Sequence, residues 1–344
     1  MLMKIALIGC GTVGRGLLEL INEKQLILTK KYNLDPIVSA ISDPVVGSVY
    51  NEGGLDLNKI LSLLETDNNI KNYSNGITGW DSLKTIKESN ADVIVEATPT
   101  NLETGEPGLT HIRTALKSGK DVATTNKGPI ALAYHELKAL TLNNRCELRF
   151  EGTVLAGTPA LNLALLPLAG IEIKEVRGIV NGTTNYILTR MESGMSYDEA
   201  LREAQEKGYA EAKPDADVKG WDALAKIIII ANVLMGGNLK VVDVEREGID
   251  GISKEDVEKA LGNNKHWKLI ARAWRGDGEI KASVSPKELS EDDPLARIMG
   301  VTNAINFTTD VLREVTISGP GAGKRETGFA LLSDLIDINR FKEG

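Results

Sequence analysis

A glycine-rich turn near the start of the chain constrains the fold more than any other feature. Residues 3–8 form a short apolar run, and Gly9-Cys-Gly-Thr-Val-Gly14 leads from it into an amphipathic pattern over residues 13–22. A strand, a G-x-G-x-x-G turn and a helix in this order are typical of a dinucleotide-binding unit. The glycines let the backbone approach a pyrophosphate at the positive end of the helix. We therefore expect cofactor contacts at Gly9, Gly11, Thr12 and Gly14; a tight turn without a ligand is the alternative.

The remainder of the first half alternates between strand and helix patterns. Strands are predicted over residues 36–42, 92–98, 121–125 and 146–151, and helices over residues 58–64, 107–117 and 129–140. Such alternation predicts a parallel sheet covered by helices on both faces. The expected fold class is therefore α/β, with a Rossmann-type dinucleotide-binding domain over residues 1–150.

After Glu151 the alternation stops. Helices are predicted over residues 160–166, 181–191, 197–208 and 220–235, a strand over 172–180, and two hairpins over 268–285 and 301–318. This arrangement predicts an α+β domain over residues 151–324 that serves catalysis and oligomerisation. A final helix, about residues 325–344, is expected to return to the dinucleotide-binding domain.

Polar residues follow the predicted strands of the first half. Asp43 ends the second strand, where an acid binds the ribose diol of NAD, whereas NADP prefers a nearby arginine. No arginine lies beside Asp43, but Lys59 could serve a phosphate, so NAD is only slightly favoured. Thr98 ends the third strand. Lys127 follows the fourth and is predicted to point toward the ligand crevice, the alternative being a solvated lysine at a helix start.

The bulk composition argues against several classes of function. The net charge of -8 and an aromatic content of 4% disfavour nucleic-acid binding. The longest uncharged apolar run, residues 227–237, is shorter than the roughly 20 residues that a membrane span needs. No signal-peptide pattern is present, and Cys10 and Cys146 do not form a disulfide framework. We therefore expect a cytoplasmic protein with a small-molecule substrate and no nucleic-acid or membrane partner.

The densest set of reactive side chains lies within residues 204–226. Glu211, Asp217, Asp222 and Lys226 occur within sixteen residues there. Asp222 and Lys226 are four apart, so on a helix they share one face. Such a set could form a polar pocket for a ligand that carries an ammonium group and an oxygen to be protonated. A capped surface helix with an ordinary ion pair is the alternative interpretation.

The same block is similar, at every defined position, to the signature of the homoserine dehydrogenases: Ala-x3-Gly-Tyr-Ala-Glu-x2-Pro-x2-Asp-Val-x-Gly-x-Asp-x3-Lys. Residues 124–127, 151–159, 178–188 and 319–323 also resemble family segments, in the same order. The resemblance covers nearly the whole chain. It implies reversible reduction of L-aspartate 4-semialdehyde to L-homoserine, with NADH or NADPH, in the biosynthesis of threonine, methionine and isoleucine.

The resemblance also implies residue roles. Lys226 matches the proton-donating lysine, Asp222 its partner near the reacting hydroxyl, and Lys127 a lysine where cofactor and substrate meet. Glu211 and Asp217 match the acids that bind the substrate. Further cofactor contacts fall on Val13, Thr98 and Gly321. A monovalent cation, Na⁺, would be held by Glu151 and the backbone carbonyls of Val154, Ala156 and Thr158.

Three further expectations follow from the resemblance. The family suggests a homodimer or homotetramer. Because the chain begins at the nucleotide-binding strand and ends soon after the last helix, neither a fused aspartate kinase nor a regulatory extension is expected. Lys213 departs from the family pattern, which often has an acid there, and so leaves the charge of the pocket open.

Two other functions compete with this interpretation. One is a non-catalytic NAD(P)-sensing protein, which would bind the cofactor but would need no acid–lysine pocket. The other is an acylating semialdehyde dehydrogenase, which needs a thiolate nucleophile beside the nicotinamide. Cys10 lies inside the glycine turn and Cys146 starts a predicted strand, so neither cysteine fits that role well.

Overall fold

Two β-sheets organise the chain, one in each of two units. The computed structural model describes residues 2–343. The first unit contains the residues up to Gly157 and those from Gly323 onward, and the second unit is Thr158–Ala322. The predicted boundary at residues 150 and 151 lies a few residues before this division, and the final helix belongs to the first unit.

The sheet of the first unit has seven strands in the order β4-β3-β2-β1-β5-β6-β7. Neighbours from β2 to β7 run parallel, whereas β3 and β4 form an antiparallel edge. The strands are β1 (Leu2–Ile8), β2 (Asp35–Asp43), β3 (Gly47–Tyr50), β4 (Ile77–Thr78), β5 (Val93–Glu96), β6 (Asp121–Thr124) and β7 (Leu148–Arg149). The order reverses at β1, which places the glycine turn at the switch point where such sheets bind ligands.

Seven helices complete the first unit. They are α1 (Thr12–Tyr32), α2 (Leu57–Thr66), α3 (Ser82–Glu88), α4 (Gly108–Lys117), α5 (Lys127–Asn144), α6 (Gly152–Leu155) and α13 (Lys324–Glu343). Helix α13 packs closely on α1, because a Cβ added at Gly328 would lie only 2.7 Å from the backbone of Gly16. Leu331 and Leu335 of α13 are buried in the same apolar core as Leu17 of α1 and Leu7 of β1.

The sheet of the second unit has six strands in the order β13-β12-β8-β10-β11-β9 and is antiparallel except for the pairing of β11 with β9. These are β8 (Ile173–Ile179), β9 (Glu245–Arg246), β10 (Lys265–Gly276), β11 (Glu279–Ser290), β12 (Thr302–Thr309) and β13 (Glu314–Pro320). The helices are α7 (Ala160–Leu165), α8 (Gly182–Glu192), α9 (Tyr197–Glu206), α10 (Asp215–Val218), α11 (Trp221–Leu234) and α12 (Lys254–Gly262). A 3-10 turn occupies Val241–Asp243.

Several elements differ from the prediction. Helix α1 continues ten residues beyond Asn22, because the polar run that follows, Glu-Lys-Gln-Leu, consists of good helix formers. Strand β7 covers only Leu148–Arg149 of the predicted 146–151. The short strands β3 and β4 and the helices α3 and α12 were not predicted, although Asp81 caps α3 and Ser253 forms a capping box on α12. Within residues 2–343, no helix is both long and apolar enough to cross a membrane.

Candidate active site

Of the three glycines in the turn of the first unit, Gly9, Gly11 and Gly14, only Gly11 has room for a side chain. A Cβ at Gly9 would lie 2.6 Å from the carbonyl oxygen of Ala97, and one at Gly14 would overlap the carbonyl of Gly9. At Gly11 an added Cβ would meet nothing within 4 Å. Gly11 is the N-cap of α1, and no side chain caps it. The turn therefore presents an open backbone at a helix N-terminus, which is where a pyrophosphate binds.

Asp43 stabilises this turn through hydrogen bonds to backbone N–H groups. One carboxylate oxygen, Oδ2, accepts a hydrogen bond from the backbone N–H of Cys10 at 2.8 Å. The other, Oδ1, accepts from Val45 and Val46 at 2.8 and 3.0 Å. The acid predicted to bind a ribose is thus fixed in orientation at the carboxyl end of β2, beside the glycine turn.

Neither cysteine is suited to be a thiolate nucleophile. Cys10 is buried, and this burial raises the pKa of its thiol to about 12. Cys146 is also buried, and desolvation raises its pKa. Both thiols stay protonated near neutral pH, so the acylating mechanism has no nucleophile among the cysteines.

A buried acid that the sequence analysis missed, Glu96, organises the ends of β5 and β6. Its Oε1 accepts hydrogen bonds from the hydroxyl and the backbone N–H of Thr98, the latter at 3.2 Å. Thr124 donates to its Oε2 at 3.2 Å. Asn126 donates to the Thr98 carbonyl at 3.3 Å and caps α5, where Lys127 is the first residue. Thr98 and Lys127 are therefore both held at the carboxyl end of the parallel strands.

The predicted cation ligands of the first unit lie in one tight, buried segment. Glu151, Val154 and Ala156 are all buried, and Ala156 adopts φ 48° and ψ -118°, an unusual conformation for a residue with a side chain. The Glu151 N–H donates to Asp334 at 3.1 Å, and burial together with the Glu151 charge raises the pKa of Asp334 well above its usual value. Thr158 begins the second unit, and its carbonyl accepts from Ala160. Among residues 2–343, no three acid, histidine or cysteine side chains cluster as a metal site.

The acids and lysine of the second unit converge at the start of α8. Lys226 is 7% exposed, and its Nζ lies 2.7 Å from Asp222 Oδ2 and donates to the Val180 carbonyl at 2.6 Å. Asn181 donates to Asp217 at 2.7 Å and to Asp222 at 3.0 Å. Burial, and next the Asp222 charge, raise the pKa of Asp217. The structure thus places three of the four predicted residues in one hydrogen-bonded cluster.

Glu211 lies outside this hydrogen-bonded cluster. It is exposed in the loop between α9 and α10, and its carbonyl accepts a hydrogen bond from Gln205 at 3.1 Å. The loop is tied to α8 because Thr183 donates to the Tyr209 carbonyl at 2.6 Å. Asn181 and Thr183 were missed as site residues, although both stand in the segment 178–188 that resembles the family.

The second glycine-rich turn, residues 319–323, packs on a buried amide. A Cβ at Gly321 would overlap the side chain of Asn303, which is fully buried. Within residues 2–343, neither polar side-chain atom of Asn303 has a hydrogen-bond partner. Thr158 donates to the Pro320 carbonyl at 3.0 Å and holds the other side of the turn. Gly321 is thus required by packing within the second unit.

Comparisons with known proteins indicate one family for both units of the chain. The family model "Homoserine dehydrogenase, NAD binding domain" matches residues 9–151, and "Homoserine dehydrogenase" matches residues 159–336. The NAD(+)-dependent homoserine dehydrogenase of Pseudomonas canavaninivorans is 46% identical over 98% of this chain and 96% of its own length. The homoserine dehydrogenase of Methanocaldococcus jannaschii is 43% identical over 98% of both chains.

Solved structures give the same result. The crystal structure of a putative homoserine dehydrogenase from Archaeoglobus fulgidus has a TM-score of 0.89 and 38% identity, covering 98% of this chain and 99% of its own. A hyperthermophilic archaeal homoserine dehydrogenase in complex with NADPH has a TM-score of 0.85 and 31% identity, covering 99% and 98%. The predicted family, fold class and NAD(P) cofactor are confirmed. The chain belongs to the homoserine dehydrogenase family of NAD(P)-dependent oxidoreductases that act on a CH–OH group.

Proposed function

We propose that this chain interconverts L-homoserine and L-aspartate 4-semialdehyde through the cluster of Lys226, Asp222, Asp217 and Asn181. The observation that carries the proposal is the buried Lys226–Asp222 contact of 2.7 Å in a chain of this family. A protein that only sensed NAD(P) would need no such buried acid–lysine cluster. In the reducing direction one hydride and one proton are consumed, and the aldehyde oxygen becomes the hydroxyl of homoserine.

When bound, the nicotinamide cofactor supplies hydride to the aldehyde carbon or accepts it from the alcohol carbon. The aldehyde oxygen gains negative charge as this happens. Lys226 is held by Asp222 and by the Val180 carbonyl, so its ammonium group has a fixed direction. We infer that Lys226 stabilises the developing charge and transfers the proton, because a preorganised cation in a buried site acts strongly on such an oxygen.

The acids have a different role in this proposal. Asp217 and Glu211 bind the ammonium group of the amino-acid substrate, and Asp222 keeps Lys226 in place. Support comes from the burial of Asp217 beside Asp222, which puts two carboxylates near a single lysine. Lys127 and Thr98 are assigned to the nicotinamide end of the cofactor, because both lie at the carboxyl edge of the parallel sheet.

We further propose that NAD is preferred over NADP. Asp43 presents a fixed carboxylate at the carboxyl end of β2, where a ribose diol binds and a 2′-phosphate is repelled. Lys59, the basic residue considered for a phosphate, lies 3.8 Å from Asp56. Initial rates with homoserine and each cofactor in turn measure the preference. A higher kcat/KM with NADP would contradict it.

We also propose that the chain binds a Na⁺ ion. Its ligands would be the carboxylate of Glu151 and the backbone carbonyls of Val154, Ala156 and Thr158. The segment fits, because a buried carboxylate and a reversed peptide at Ala156 lie within six residues. Such an ion would neutralise Glu151 and fix this segment. The measurement is thermal stability of wild type and Glu151→Gln in NaCl and in choline chloride. A stabilisation by Na⁺ that Glu151→Gln retains would contradict the site.

We also propose that the protein is a cytoplasmic homodimer or homotetramer. Support for self-association is the position of β13 at an edge of the six-stranded sheet, where a second strand could pair. Analytical ultracentrifugation across a range of concentrations tests this. A monomer throughout that range would contradict it.

The decisive experiment on the reaction compares two lysines. Lys226→Met is expected to lower kcat for homoserine oxidation by about 100-fold or more, the effect of losing one preorganised oxyanion donor. Lys219→Met is the matched control, since Lys219 forms an exposed i,i+4 pair with Asp215 at 2.9 Å in the same segment. The control should keep wild-type kcat. Equal rates for Lys226→Met and Lys219→Met, in folded protein, would overturn the proposed role.

A further inference from the structure

The side chain of Asn181 has a partner for every polar group that it carries. It is 5% exposed and lies between β8 and α8. Its Oδ1 accepts from the Thr184 N–H at 2.9 Å and so caps α8. Its Nδ2 donates to Asp217 Oδ1 at 2.7 Å and to Asp222 Oδ2 at 3.0 Å. An amide nitrogen has two hydrogens, and Asn181 donates both of them to carboxylates.

Capping alone does not explain an asparagine at this position. Asp and Ser cap helices about as well as Asn does. Asp, however, would add a third carboxylate to Asp217 and Asp222, and Ser has one hydroxyl hydrogen for two acids. Asn is the capping residue that can accept from the helix and donate to two carboxylates at once. The two donated bonds therefore indicate a role beyond the helix.

The two carboxylates need such a donor. Burial and mutual repulsion both disfavour the ionised forms of two neighbouring acids. The pKa of Asp217 is raised by burial and then by Asp222, whereas the hydrogen bond from Asn181 and the charge of Lys226 lower it. Lys226 is in turn bonded to the carbonyl of Val180, the residue before Asn181. One two-residue segment thus contacts both acids and the lysine.

We propose that Asn181 is a positioning residue that holds Asp217 toward the ammonium group of the substrate and Asp222 against Lys226. This inference rests on the proposed function, because the substrate is the amino acid assigned there. Asn181 acts through the two acids and touches no reacting atom in this scheme. Its loss is expected to weaken homoserine binding more than it slows turnover.

The test uses the 344-residue chain with Asn181→Asp and Asn181→Ser, each assayed for homoserine oxidation with NAD across a range of pH. We expect KM for homoserine to rise about tenfold or more, the effect of losing a charged hydrogen bond. We also expect the acidic limb of kcat/KM to move to higher pH, because Asp217 loses a hydrogen bond that lowers its pKa. Ser196→Ala is the matched control, because it removes an exposed N-cap, that of α9, in the same unit.

A role in folding alone predicts something else: lower thermal stability, with KM and the pH limb unchanged in the folded fraction, as in Ser196→Ala. That result for both Asn181 variants would overturn the proposal. Carbon-13 NMR titration of the aspartate carboxyls in the protein without substrate gives a second readout. We expect the pKa of Asp217 to rise in Asn181→Ser, and an unchanged titration of Asp217 would likewise overturn the proposal. The titration needs no turnover, so it tests the inference about Asn181 even if the proposed reaction is wrong. Failure of the proposed reaction would instead appear as wild-type protein that forms no NADH when homoserine is added.

Discussion

Lys268 should make the stability of this protein rise between pH 7 and pH 10. Its side chain is fully buried on β10. Its Nζ donates to the Ile298 carbonyl at 2.8 Å, to Asn185 Oδ1 at 3.3 Å and to Met299 Sδ at 3.4 Å. Burial lowers its pKa from 10.5 to about 8, and the Glu192 charge opposes this only in part.

The sign and size follow from linkage. The folded-state pKa lies below the unfolded value, so between pH 8 and 10.5 the unfolded chain binds the proton that the folded chain has lost. Stability therefore increases with pH across this window. At about 1.4 kcal/mol per pKa unit, the gain from Lys268 between pH 7 and pH 10 is about 2–3 kcal/mol.

The measurement is urea denaturation of wild type and Lys268→Met at pH 7 and pH 10. The difference in free energy of unfolding, wild type minus Lys268→Met, should grow by about 2–3 kcal/mol between the two pH values. Lys265→Met is the control, because Lys265 lies on the same strand but forms a half-exposed pair with Glu288 at 3.1 Å. A difference that stays constant within about 0.5 kcal/mol would refute the reasoning, because Lys268 would then keep its ordinary pKa in the fold.

Three other changes have expected outcomes. Asp43→Ala should lower kcat/KM for NAD about tenfold more than for NADP, the worth of one charged hydrogen bond, and an unchanged ratio of initial rates would contradict the assignment. Ser196→Ala breaks the capping box with Glu199 and should cost about 1 kcal/mol in urea denaturation, whereas no loss would show that the cap is replaced by water. Phe307→Ala empties a fully buried position on β12 and should cost about 3–5 kcal/mol in the same assay; a loss below about 1 kcal/mol would mean that the core closes around the cavity.

The sequence was most informative where function depends on local geometry. The turn from Gly9 to Gly14 can be recognised from the local sequence alone. The hydrophobic pattern shows a strand before the turn and a helix after it, and the structure has both. Asp222 and Lys226 are also local, since helical spacing alone brings them together. In both places the residues that meet are within a few positions of each other, so periodicity suffices.

Contacts between distant segments were not visible in the same way. Asn181 meets Asp217 and Asp222 across 36 and 41 positions, and the sequence around it reads only as the start of a helix. Glu96 ends a β-branched run and gives no local sign that Thr124 and Thr98 bond to it. Lys268 stands in a hairpin pattern that marks alternate faces but does not tell which face the neighbouring segment covers.

The charge of the cluster supports the identity of the substrate. Asp217 and Asp222 bring two partly buried carboxylates together beside one lysine, Lys226. A carboxylate that is partly removed from water without a counter-charge is costly, and the hydrogen bonds from Asn181 offset only part of that cost. A ligand with an ammonium group supplies the missing positive charge, whereas an aldehyde or alcohol without one does not. The cluster is therefore complementary to an amino acid, and the same excess of acid that makes Asn181 necessary also favours binding of homoserine over a simple alcohol.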